Sequence, residues 1–191
     1  MLIHATTHSQ NVSGNLKKEN MERPRIKIEK NLVDIATEII GFLGLILLIG
    51  LPLYYFDKLP ETIPSHFGTT GQPDGFIGKE IIWKLPIIGI VIYVGLFWLN
   101  KYPHIFNYPQ QVSKENAERL YTILTRMIRT LNTIISCVLA YITYSTIQIA
   151  LGSQNGLGVW FTLVFIILIF GTTGYFLYKS MSKKSQTANN V

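Results

Sequence analysis

The chain has 191 residues, 48% of them hydrophobic, and a formal net charge of +6 at pH 7. No residue between Arg129 and Lys179 carries a formal charge, and a soluble domain with such a stretch would expose a large apolar surface. This excludes an ordinary soluble domain. It also explains the positive charge without nucleic acid, because cytoplasmic loops of membrane proteins collect Lys and Arg. The single cysteine, Cys137, lies in an apolar segment, so a disulfide framework or a thiolate metal site within one chain is excluded as well.

The first 32 residues are polar and basic and are predicted to form a cytoplasmic tail. Residues 1–20 lack the apolar core of a signal peptide, and we expect them to be disordered. His4 and His8 have the i, i+4 spacing of a helical metal pair, but nothing around them favours a helix. A basic segment begins at Met21, which is a second candidate for the start of the protein.

Four apolar segments are long enough to cross a membrane, since about 20 helical residues span the hydrocarbon core. They are residues 33–56, 81–100, 130–151 and 159–178. Asp34 and Glu38 lie at the inner end of the first segment, and Lys84 lies near the outer end of the second, where its alkyl chain can reach the interface. Segment three is unusually polar, and its Asn132 and Gln148 are expected to face other helices. The sequence therefore predicts an all-α integral membrane protein with four transmembrane helices.

The connection between segments two and three, residues 101–129, is predicted to contain an amphipathic cytoplasmic helix. Apolar residues recur at helical spacing from Ala117 to Leu131, and Arg126 and Arg129 fall mostly outside that stripe. Such a helix lies on the inner membrane surface or runs directly into segment three. We interpret its apolar stripe as a packing face and not as a ligand site.

Lys and Arg are distributed unevenly between the two sides of the predicted bundle. Fourteen of the 17 lie in the tails and in the 100–129 connection, and the 57–84 connection holds the other three. The positive-inside rule then places both termini in the cytoplasm, an N-in/C-in topology in which 179–191 is a second cytoplasmic tail. The loop of residues 57–80 is predicted to be extracytoplasmic.

This outer loop has the composition of an ordered turn. The residues before Pro60 and Pro64 are biased toward extended backbone. Gly71, Pro73 and Gly75 supply turn chemistry, since proline fixes φ and glycine tolerates a positive φ. A short hairpin-like lid on the outer surface is the simplest geometry.

His66 is the one histidine of the outer loop. It could be a metal ligand with Asp74 or Glu61, a proton acceptor, or a structural donor within the loop. We favour the structural role, because one histidine does not make a metal or catalytic site.

The outer loop also resembles a known family, the bacterial membrane domain of unknown function 1648 (DUF1648). That signature reads LPxxIPxHF, then G-x-P-D-G, an aromatic residue, and a lysine before a helix that opens with Leu-Pro. The matching positions are Leu59, Pro60, Ile63, Pro64, His66, Phe67, Gly71, Pro73, Asp74, Gly75, Phe76, Lys79, Leu85 and Pro86. The stretches 107–109 and 116–119 are similar too, and we assign residues 33–150 to a DUF1648-like membrane domain.

The resemblance implies a set of candidate functional residues. In the outer loop they are Pro60, Pro64, His66, Phe67, Gly71, Pro73, Asp74, Gly75 and Lys79. In the inner loop they are Asn107, Tyr108 and Pro109. The same domain occurs in SdpI-like immunity proteins, which protect a cell from a secreted peptide toxin. Those proteins carry a second domain with an Asn…Gly-x-Arg-Thr-Pro-Trp stretch, which this sequence lacks.

We therefore expect a non-enzymatic binding or immunity-type module of the bacterial plasma membrane that acts through its outer loop, without a cofactor or metal. The expected partners are the lipid bilayer and either an extracytoplasmic peptide or another membrane protein, but not nucleic acid. One alternative is a small-molecule or ion transporter subunit, although residues 130–178 lack the ionisable side chains that transport would favour. The other is a membrane enzyme that uses His66 with Asp74, for which no nucleophile–base set is evident.

Overall fold

The computed structural model describes residues 23–182. The expectations for residues 1–20, for the His4–His8 spacing and for a start at Met21 lie outside this range, as does the tail beyond residue 182. The described chain is mostly helical, with four helices: α1 (Leu32–Tyr55), α2 (Lys84–Leu99), α3 (Ala117–Ala150) and α4 (Phe161–Met181). All four are long and apolar enough to cross a membrane, the second when counted from Lys79, where a short 3-10 turn leads into α2. The protein is therefore a multi-pass membrane protein.

The prediction of an all-α fold is corrected by a small two-stranded antiparallel sheet between α1 and α2. Strand β1 (Thr62–Phe67) pairs with strand β2 (Pro73–Gly78). The turn residues between them close the hairpin, and the proline-rich flanks keep the backbone extended. The first and last pairs are Thr62 with Gly78 and Phe67 with Pro73, and the register shifts on either side of His66.

Helix α1 begins one residue before the predicted segment, because Asn31 caps it. The Asn31 side chain accepts a hydrogen bond from Asp34 N at 2.9 Å, and the Asp34 carboxylate accepts one from Asn31 N at 3.0 Å. This reciprocal pair is a capping box, which satisfies two otherwise unpaired backbone donors. Pro52 lies in the last turn of α1, where a lost backbone bond is easily tolerated.

Helix α3 is continuous through the position where the sequence suggested a boundary between an inner amphipathic helix and a span. Its 34 residues rise about 51 Å at 1.5 Å per residue, more than the roughly 30 Å of hydrocarbon. No proline or glycine interrupts it. Of the two arrangements considered for the amphipathic stretch, the structure has the one in which it runs straight into the span.

The four helices differ in how much of their surface is buried against other helices. Helix α3 contacts α1, α2 and α4, and most of the buried polar residues of the described chain lie on it. Gly41 and Gly44 let α1 approach α3 closely, since a Cβ on Gly41 would lie 2.7 Å from Thr133 Oγ1. Helix α4 is peripheral, because Ser180 is its one buried residue.

Part of the predicted N-terminal tail is docked on the end of the helical bundle that lies opposite the hairpin. Arg23 Nη1 donates to the carbonyl oxygens of His104 at 3.1 Å and Phe106 at 2.5 Å. Ile28 packs against a buried cluster around Leu120 and Tyr121. Residues 23–31 therefore belong to the folded body at this end of the bundle.

Candidate functional site

The hairpin between α1 and α2 is tied into the body of the protein at its base. Leu59 and Ile63 are buried together with Ile82 and with Ile147 of α3. Lys79 N donates to Glu61 O at 3.0 Å, and the Lys79 ammonium lies 3.5 Å from Glu61 Oε1. The base of the hairpin is therefore fixed to the neighbouring ends of the helices.

The tip of the hairpin is docked on the connection between α3 and α4, which the sequence did not predict. Leu157 N donates to Gly71 O at 2.8 Å, and Thr162 Oγ1 donates to Thr69 O at 3.3 Å. Gly71 has a φ of 77°, and a Cβ at this position would lie 2.9 Å from Gly158 O. Both its backbone conformation and its surroundings therefore require glycine.

His66 and Asp74 face each other across the hairpin. His66 Nδ1 lies 2.5 Å from Asp74 Oδ1, and the two side chains are 73% and 51% exposed. Within residues 23–182 there is no group of three or more His, Cys, Asp or Glu side chains that could hold a metal ion. The geometry supports a hydrogen bond that links the two strands.

The remaining outer-loop candidates lie in the two strands or next to them. Pro64 is buried and lies opposite Phe76, whereas Gly75 lies opposite His66. Pro60 is exposed just before β1, and Phe67 and Pro73 form the last pair before the turn.

An open groove of about 290 Å³ lies beside the hairpin. It is bounded by β1, the start of α2, the C-terminal part of α3 and the start of α4. Its lining includes Ile63, His66, Phe67, Lys84, Ile142 and Phe161. The groove therefore combines apolar and aromatic walls with one ammonium group and one imidazole, which suits an amphipathic ligand.

The inner-loop motif of residues 107–109 has a structural role in this arrangement. Tyr108 Oη donates to Pro103 O at 2.8 Å, its ring lies 5.5 Å from that of Tyr121, and the Arg23 guanidinium lies 5.6 Å from its centroid. Burial, followed by the neighbouring Tyr121, raises the pKa of Tyr108 above its ordinary value. Asn107 and Pro109 are exposed. Tyr108 therefore anchors the inner loop and the N-terminal segment to α3.

A partly buried cluster of charged side chains, with Asp34 and Arg129 at its centre, joins α1 to α3, and sequence reasoning missed it. Asp34 and Arg129 are 4% and 8% exposed. Arg129 Nη1 donates to Asp34 Oδ1 and Arg129 Nε donates to Glu38 Oε1, both at 2.8 Å. Arg126 Nε donates to Asp34 Oδ1 at 3.0 Å, and the Lys30 ammonium lies 2.6 Å from Glu38 Oε2.

The interpretation of Arg126 and Arg129 as residues outside the packing stripe is therefore wrong. Both face α1, because the polar edge of α3 meets two carboxylates there. A sequence signal existed: Asp34 and Glu38 are four residues apart and the two arginines are three apart, and both spacings place side chains on one helix face. Breaking a buried ion pair is costly because the remaining charge is left unpaired. The cluster thus fixes how α1 and α3 are aligned.

Asn132, predicted to face other helices, is buried, and its Nδ2 donates to Tyr93 O of α2 at 3.2 Å. Gln148 is half-buried.

Comparison with known proteins agrees with the sequence signature of the hairpin. The family model for a domain of unknown function, DUF1648, matches residues 43–90, which run from α1 through the hairpin into α2. An uncharacterized protein from the archaeon Archaeoglobus fulgidus is 30% identical over 160 residues, covering 74% of this chain and 85% of that protein. No solved structure matches the chain. The chain belongs to the DUF1648 family.

Proposed function

We propose that this membrane protein is a non-enzymatic binding module that holds an extracytoplasmic peptide in the groove beside the hairpin. The observation that carries the proposal is the docking of the hairpin tip through Gly71 and Leu157, at 2.8 Å. A site framed by elements that are already fixed loses little conformational entropy when a ligand binds.

The placement of the groove outside the cell is supported by charge. Fourteen of the 17 Lys and Arg residues lie in the tails and the 100–129 connection, away from the hairpin. The positive-inside rule assigns that side to the cytoplasm. The proposed topology is therefore N-in/C-in, with the hairpin on the extracytoplasmic side of the cell membrane.

The groove favours an extended peptide with apolar side chains and a carboxylate. Residues 63–68 of the hairpin, nearly all of β1, line the groove, and β1 pairs with β2 alone in its two-stranded sheet. Exposed strand edges commonly bind extended peptides. Lys84, at the other wall, supplies a cation for a carboxylate. Capture of a secreted peptide at this face is the step that an immunity-type role requires.

The test is selection of peptides from a displayed random library against the protein in lipid nanodiscs. Selected peptides should bind the wild type, and Phe67→Ser and Lys84→Glu should each weaken binding by about tenfold or more, which corresponds to 1.4 kcal/mol. The matched controls are Phe76→Ser, on the exposed neighbouring strand, and Lys58→Glu, an exposed lysine outside the groove lining. They should bind as the wild type does. A selection that returns no peptide, or peptides that bind all variants equally, would contradict the proposal.

A transporter subunit is the second candidate, and one observation favours it. Ionisable residues within membrane spans commonly mark ion or substrate pathways, and Asp34 and Arg129 are buried charged residues of two helices that are candidate spans. In proteoliposomes, transport would appear as a substrate or proton flux that Asp34→Asn abolishes. Absence of any flux above that of protein-free vesicles would leave the binding module as the account of this fold.

A further inference from the structure

A second cavity, at the opposite end of the bundle from the hairpin, is lined mainly by positively charged side chains among its charged residues. Its volume is about 230 Å³, and it lies between the inner ends of α1 and α2 and the docked segment of residues 26–30. Four cationic side chains line it, those of Lys27, Lys30, Lys101 and Arg129. Among its lining residues Glu38 is the one carboxylate.

The positive charge around this cavity exceeds what its carboxylate can balance. Glu38 already interacts with Lys30 at 2.6 Å and with Arg129 at 2.8 Å. Lys27 and Lys101 form no salt bridge with any residue in the described range 23–182. Within that range these two ammonium groups have no carboxylate partner, although that of Lys101 lies 5.1 Å from the centre of the Phe97 ring.

Aromatic residues near this cavity are of the kind found where lipid headgroups meet hydrocarbon. Phe97 in the last turn of α2 forms part of its wall. Trp98 and Tyr102 directly follow the lining residues Phe97 and Lys101 in sequence. Their rings are exposed, and the ring centroids lie 5.2 Å apart. Exposed aromatic residues at the end of a span are typical of the membrane interface.

The walls of the cavity combine cationic groups with apolar surface. The cationic side chains suit a phosphate, and Ile26, Ile28 and Phe97 suit an acyl chain. Together they match the headgroup and upper chains of a phospholipid.

We infer that this cavity binds the phosphate headgroup of an anionic membrane lipid. Basic pockets between transmembrane helices are suited to anionic headgroups, because each Lys or Arg near the surface strengthens the attraction. The inference depends on the interfacial depth of the cavity and not on which side of the membrane it faces, nor does it depend on the hairpin groove.

Native mass spectrometry of the purified protein tests this inference. The protein is titrated with phosphatidylglycerol, with phosphatidylcholine and with inorganic phosphate. We expect one phosphatidylglycerol to bind at least about tenfold more tightly than phosphatidylcholine. Lys101→Gln should weaken phosphatidylglycerol binding by about fivefold, and Lys27→Gln with Lys101→Gln by about 30-fold.

The matched control is Lys114→Gln, which removes an exposed lysine of the same connection that does not line the cavity. It should bind phosphatidylglycerol as the wild type does. Equal binding of the two lipids, or a preference that survives loss of both Lys27 and Lys101, would overturn the inference. Displacement of the lipid by inorganic phosphate at comparable concentration would overturn it too and would identify a site for a free anion.

Discussion

Among single residues, Arg129 is the side chain whose loss we expect to reduce stability most. It is buried and donates to both Asp34 and Glu38 at 2.8 Å. Arg129→Met should destabilise the purified protein by about 3 to 5 kcal/mol, because it leaves two carboxylates partly unpaired in a medium of low dielectric constant. The measurement is the midpoint of unfolding in detergent.

The control for Arg129 is Arg25→Met, which removes an exposed arginine near the same end of the bundle. It should change stability by less than about 0.5 kcal/mol. If both variants unfold alike, the cluster does not hold α1 to α3.

His66 is the residue on which the structural and the metal-binding or enzymatic interpretations differ. Its partner is Asp74, and both side chains are largely exposed, so loss of the pair in His66→Ala should cost no more than about 1 kcal/mol. We expect the helices to stay folded, no stoichiometric zinc in the purified protein, and no effect of chelator on the melting temperature. Stoichiometric metal that is lost in both His66→Gln and Asp74→Asn would show instead that the hairpin carries a metal site.

At the level of structural elements, two glycine substitutions distinguish the effect of losing the hairpin-tip contact from the effect of backbone strain. Gly71 and Gly152 have similar positive φ values, 77° and 73°, but only a side chain at Gly71 would meet another segment. Alanine at either position should cost about 1 to 2 kcal/mol for the left-handed backbone. Gly71→Ala should in addition release the tip from Gly158 and raise hydrogen exchange across residues 69–78, and Gly152→Ala should not. Equal exchange in the two variants would mean that the tip is not docked.

The packing of α1 against α3 makes a second prediction at this scale. A Cβ on Gly41 would lie 2.7 Å from Thr133 Oγ1, whereas one on Gly50 would have no atom within 4 Å. Gly41→Ala should therefore lower stability by about 1 to 3 kcal/mol through overpacking. Gly50→Ala should leave the melting temperature unchanged or raise it. The reverse order would show that α1 and α3 do not approach through Gly41.

These elements show why some features could be predicted from the sequence and others could not. The hairpin and the spans depend on local signals, the turn around Gly71 and the long apolar runs, and both were predicted. The Asp34–Arg129 pair and the Gly71–Leu157 contact join residues far apart in the chain. Periodicity indicates which face of a helix is buried but not which segment covers it, so the partners of these residues had to come from the structure.

At the scale of the whole molecule, the two ends of the bundle differ in chemistry. One end carries the hairpin and a mainly apolar groove with Lys84 as its ammonium group. The other carries the buried ion pairs and a cavity lined by four cationic side chains. Helix α3 connects them and contacts every other helix. We propose that these two ends lie on opposite sides of the membrane, with the hairpin outside.

Labelling of single cysteines on intact cells tests that claim most directly. Cysteine is placed at Thr70 or at Gln111, both exposed, in a Cys137→Ser background, and the cells are treated with a membrane-impermeant thiol reagent. With the hairpin outside, we expect labelling at Thr70 in intact cells and at Gln111 only after the cells are permeabilised. Labelling of intact cells at Gln111 but not at Thr70 would contradict it.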